Sequence, residues 1–148
     1  MTRLIHPVAG ALALLTITAF WLSTAVSELF GPQAAVTAVK TAIPWGFILL
    51  VPALAAAGGT GFVLAGARRA GLAGAKRKRM PVIAANGLLV LIPSALFLAS
   101  KAGQGEFDGA FLAVQAIELV AGAVNITLLG LNLRDGLRMT GRWRRRPA

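Results

Sequence analysis

No cysteine and no tyrosine occurs among the 148 residues. The missing thiol excludes disulfides, thiol catalysis and cysteine-held metals. Histidine is nearly absent as well, since His6 stands alone. Acidic side chains are scarce: Glu28, Glu106, Asp108, Glu118 and Asp135 make up the set. Only 14% of residues are charged, where a soluble domain carries about 25%. A chain this poor in charge lacks the polar surface that a soluble fold of its size needs.

What is plentiful is apolar, at 57% of the residues. Stretches 4–27, 41–67 and 80–100 contain no Asp, Glu, Lys or Arg, and stretch 109–133 contains only Glu118. A bilayer core about 30 Å thick is crossed by about 20 apolar residues in a helix. The expected architecture is therefore all-α: a polytopic membrane four-helix bundle. Its spans are expected over about 5–29, 41–67, 81–100 and 109–133. Residues 1–140 form the single domain, and 141–148 form a basic tail. A cleaved signal peptide ending near Ala25 and Ser27 is the alternative for the first stretch. The length of the apolar run and the His6-Pro7 pair at its start favour a retained span.

The net charge of +10 suggests nucleic acid until its placement is read. Arg3, then Arg68, Arg69, Lys76, Arg77, Lys78 and Arg79, then Arg134, Arg138, Arg142, Arg144, Arg145 and Arg146 fall on one side of the four expected spans. Lys40 and Lys101 fall on the other, beside Glu28, Glu106 and Asp108. Cytoplasmic loops carry the Lys and Arg excess, so both termini and the middle loop are expected in the cytoplasm. Arg68, Arg69, Lys76, Arg77, Lys78, Arg79, Arg144, Arg145 and Arg146 then suit contact with anionic lipid headgroups, and no nucleic-acid partner is needed. Trp143 suits an interfacial anchor for the tail.

Several local features refine the helices. Pro7 is expected in the first turn of the first helix, which puts His6 near its N-cap. The second helix is expected to start early, near Ala34, and to bend at Pro44 and Pro52. Ala57, Gly61 and Ala65 lie four apart, a spacing that lets helices approach closely in lipid. Pro81 is expected at the start of the third helix. The fourth is expected to end where Arg134 and Asp135 return to water.

That fourth helix carries Gln115, Glu118, Asn125 and Asn132. At 100° per residue they occupy an arc of about 100°. Amides and a carboxylate are costly in hydrocarbon, so this face turns toward protein. Candidate partners are Thr16, Ser23, Thr60, Asn86 and Ser94. Glu118, about 14 Å in from Gly109 at helical rise, groups with Lys40, Glu28 and Ser94 in the outer half. His6, Met80, Asn86, Asn125 and Asn132 group in the inner half. Glu118 has three readings: a pair with Lys40, a protonated carboxyl bonded to Gln115 or a serine, or a station on an ion or substrate path.

His6 reads as a helix-start residue bonded at the interface, or as a haem ligand with Met80 on the same side. Haem b is thus the cofactor in question. No metal-ligand spacing, P-loop, dinucleotide fingerprint or Ser-His-acid set occurs; Gly58 to Gly61, "GGTG", lies within a span. No catalytic activity is expected.

The segments "RLIHPVAG", "KTAIPWGF", "KRKRMPVIAANG" and "NLRDGLRMTGR" together resemble small four-helix inner-membrane proteins of bacteria that have no assigned function. The resemblance covers nearly the whole chain and implies a bacterial inner-membrane location. With b-type cytochrome bundles the likeness is one of architecture. The function expected is a non-enzymatic membrane component, either an accessory or assembly subunit or a small oligomeric scaffold. The alternatives are a haem or electron-transfer protein using His6, and a small transporter or channel with Glu118 on its path.

Overall fold

The computed structural model describes residues 2–65 and 71–139. Every element among them is helical: α1 (Thr2–Phe30), α2 (Gln33–Ala65), α3 (Gly71–Asn86), a π-helical segment (Gly87–Leu91), α4 (Ile92–Gly103) and α5 (Gly109–Met139). α3, the π segment and α4 run on as one rod. The result is four helices long and apolar enough to cross a membrane, covering Leu4–Phe30, Gln33–Leu64, Gly74–Gly103 and Gly109–Arg138. Arg68, Arg69, Trp143, Arg144, Arg145, Arg146 and the rest of the basic tail lie outside the described residues, as does the side chain of Arg77.

Three boundaries differ from expectation, each for a physical reason. α1 begins at Thr2, so His6 sits inside the helix and not at its cap. The basic stretch before Met80 is helical from Gly71, with Pro81 in the helix interior. Ala, Lys and Arg are strong helix formers, and a run of them extends a neighbouring apolar helix. α5 continues past Asp135 to Met139, and Asp135 is only 1% exposed. Asp135 does not return to water because Arg79 of α3 neutralises it within the bundle.

Pro93 explains the π segment. It has no N–H for the carbonyl one turn back, so a regular α-helix would leave that carbonyl unpaired. Just before it, the Ile92 N–H bonds the Gly87 carbonyl, five residues away, in the wider π turn. The extra residue in that turn absorbs the proline within a continuous rod.

The connections are tight. α1 and α2 are joined by Gly31 and Pro32; the Gly31 N–H bonds the Ser27 carbonyl at 2.9 Å. α4 ends in a Schellman motif. Gly105, at φ +73°, donates to Ala102, and Glu106 donates back to Lys101, satisfying the last free carbonyls. Asp108 then caps α5 by accepting the Phe111 N–H at 2.9 Å.

α1 packs along α2 and against α5, α2 along α4, and α3 against α5. Ala13, Ile17, Leu50, Ala53, Ile83 and Leu129 form one core cluster. Val36, Leu98, Ala102 and Phe111 form another. Glycines receive the large rings of α1. A Cβ at Gly46 would fall on the Phe20 ring, and one at Gly122 would lie 2.8 Å from Trp21. Gly61, in the row of small residues on α2, faces the His6 ring instead of another helix backbone. The outer surface is apolar: Leu15, Trp45, Ile48, Leu89 and Val120 are among its exposed side chains. Only 17–22% of each apolar window is buried within the bundle, which leaves far more apolar surface than a soluble monomer exposes.

Candidate functional site

The polar side chains of α5 sit at three depths, each meeting a different set of neighbours. In one half, Lys40 Nζ donates to Glu118 Oε2 at 2.6 Å, with Lys40 1% and Glu118 12% exposed. Lys40 reaches Glu118 because α2 starts at Gln33 and carries the lysine inward on its third turn. Glu28 acts electrostatically on both members of the pair. Gln115 is buried beside them on the same helical face, and among the described residues neither of its amide atoms meets a partner; nor does Glu28 Oε1.

At mid-depth, Asn86 Nδ2 donates to Asn125 Oδ1 at 2.9 Å and to the Ala121 carbonyl at 2.8 Å. Asn125 turns its own amine toward the Ile83 carbonyl at 3.4 Å. The Trp21 indole N–H donates to the Leu119 carbonyl at 2.8 Å. These bonds tie α1 and α3 to the same stretch of α5.

In the other half, Asn132 Nδ2 meets the Met80 sulfur at 3.3 Å. Arg79 donates to Asp135 at 2.7 Å, and Arg134 approaches the other carboxylate oxygen at 3.4 Å. His6, half-buried on α1, meets α2 and α3. Its Nδ1 lies 2.9 Å from the Ala57 carbonyl and 3.2 Å from Thr60 Oγ1, and its Nε2 lies 2.8 Å from Lys76 Nζ. A carbonyl only accepts, so Nδ1 carries the proton and Nε2 accepts from the lysine. Neither nitrogen can ligate a metal without losing one of these bonds.

A cavity of about 560 Å³ opens between α2 and the α3–π rod. α1 and α5 form its back wall through Phe20, Trp21, Leu119 and Gly122. Met80 is part of its wall and His6 is not. Thr24, Glu118 and Asn125 are the polar side chains on an otherwise apolar lining, apart from the Trp21 indole.

The expected groups thus resolve as follows. Lys40 and Glu118 meet, as do Asn86 and Asn125, and Asn132 with Met80. Thr60 meets His6 and not the α5 stripe. Thr16 bonds its own helix at Leu12, and Ser23 faces outward. Thr24 and Ser27 are the buried hydroxyls of α1 instead. Lys78 is exposed, while Lys76 and Arg79 are engaged by His6 and Asp135. The Arg79–Asp135 pair and the Trp21 link were not foreseen. Charge pairing across the span ends would have suggested the first; nothing in the spacing marks the second. Among the described residues, no three His, Cys, Asp or Glu side chains gather as a metal would require. No protein-family model, curated protein or solved structure matches the chain.

Proposed function

We propose that this is a non-catalytic component of a bacterial inner membrane, an accessory subunit or small scaffold with both ends in the cytoplasm. One observation carries the reading. The intramembrane polar side chains mostly bond helix to helix, through Lys40–Glu118, Asn86–Asn125, Trp21–Leu119, Arg79–Asp135 and His6–Lys76. Groups arranged this way hold a bundle together and present an apolar exterior to lipid or to neighbouring subunits. The basic residues Lys76, Lys78, Arg79, Arg134 and Arg138 belong to one end of the bundle, while Lys101, Glu106 and Asp108 belong to the other. That asymmetry supports the orientation and the contact with anionic headgroups. The haem and transport readings draw on His6 and Glu118, which already have partners inside the bundle.

A tagged chain, extracted from its own membranes in mild detergent, tests this by native mass spectrometry. The expected result is an assembly heavier than the monomer. A bare monomer throughout, or a proton flux that Glu118→Gln abolishes, would sink the reading.

A further inference from the structure

We propose that the cavity between α2 and the α3–π rod binds an uncharged amphiphile drawn from the bilayer. Its apolar body would lie in the groove, and its hydroxyl head would donate to Glu118. This site is independent of the scaffold reading.

Entry comes first. The rim carries Val51, Phe62 and Leu88, which are 42%, 52% and 61% exposed on the outward apolar surface of the bundle. A molecule arriving here comes from the hydrocarbon side. Its volume of about 560 Å³ falls within the range of about 300–1,000 Å³ usual for small-molecule sites. Gly58, Gly59 and Gly87 line the walls and leave room where side chains would stand. A Cβ at Gly59 would meet nothing within 4 Å.

Polarity then selects the head. Glu118 lines the cavity, and its ion pair with Lys40 uses only Oε2. Among the described residues, no donor meets the second carboxylate oxygen, which leaves it for another. An anionic head would meet the carboxylate. A permanent cation would approach the Lys40 ammonium, 2.6 Å from the same group. A neutral hydroxyl avoids both conflicts, and Thr24 and Asn125 on the same lining are neutral too.

Trp21 supplies the readout, because its ring lines the cavity. In a Trp45→Phe/Trp143→Phe background it is the only tryptophan left. A brominated stearoyl glycerol, titrated into the purified chain in nanodiscs, is expected to quench Trp21 saturably. Glu118→Gln removes a charge-assisted bond and is expected to weaken binding about tenfold. Gly59→Leu, whose side chain grows into open space, is expected to abolish it while circular dichroism stays unchanged. The brominated methyl ester, which has no hydroxyl, should bind about as weakly as the ligand does to Glu118→Gln. Equal quenching by the ester, or by a brominated phosphatidylglycerol, would overturn the assignment of the head. Quenching that never saturates and ignores Gly59→Leu would reduce the cavity to ordinary lipid contact and overturn the site.

Discussion

Lys40 carries its ammonium into a bundle where it is 1% exposed, and Glu118 bonds it there. Removing one member of such a pair leaves an uncompensated buried charge, at a cost of about 3–5 kcal/mol. Lys40→Met and Glu118→Leu are each expected to destabilise by that amount, and the double variant to recover most of the loss. A double-mutant cycle on unfolding in micelles checks this; additive losses would mean that the pair is not coupled. The α5 stripe was legible from the sequence because 100° per residue places its polar groups on one face. The partners were less legible. α1 is apolar almost all round, so nothing in its sequence showed that Thr24 and Ser27 turn inward while Ser23 turns out. Asp135 was hidden by its neighbours: an arginine before it and a glycine after it look like an exit into water. Its partner Arg79 lies 56 positions earlier in the chain.

The turn between α4 and α5 concentrates the local signals that the helices themselves lack. Lys101 donates to Glu106 at 2.6 Å and to Asp108 at 2.7 Å. The Lys101 hydrogen bond holds the Asp108 carboxyl below the usual carboxylate range, and the Phe111 N–H adds to it. A folded value lower than the unfolded one gives stability that is present above the ordinary carboxylate range. That stability fades as pH falls through the lowered value. The midpoint of thermal unfolding is therefore expected to drop on acidification below about pH 4, and Asp108→Asn is expected to flatten that part of the profile. An identical acid profile in the variant would show that other carboxyls govern it. The helices were readable from uncharged windows of membrane length, but their ends were not. The charge of Lys76 to Arg79 suits a loop and a helix equally, because Lys and Arg favour helix where a neighbouring helix can be extended. Pro93 was visible, but its missing N–H does not reveal that Gly87–Leu91 would relax into a π turn and keep the rod continuous.

For the whole molecule, orientation is the expectation most open to a direct check, and the absence of cysteine makes it clean. Single cysteines placed at Gln104 and Lys78, both exposed, would report the two ends. A membrane-impermeant maleimide is expected to label Gln104→Cys on intact cells, and Lys78→Cys only after permeabilisation. The reverse pattern would invert the topology. The four apolar spans were legible in the uncharged stretches, whereas the cavity was not, since it arises from how far α2 stands from α3. The role of α5 has a consequence in time. Chains are made from the N-terminus, so Trp21, Lys40, Arg79 and Asn86 leave the ribosome before the helix that satisfies them. Until α5 arrives, the earlier spans hold donors with no acceptor in hydrocarbon, a costly state. A nascent chain that stalls short of it would be a natural target for membrane quality control, and α5 decides whether the helices made before it can stay.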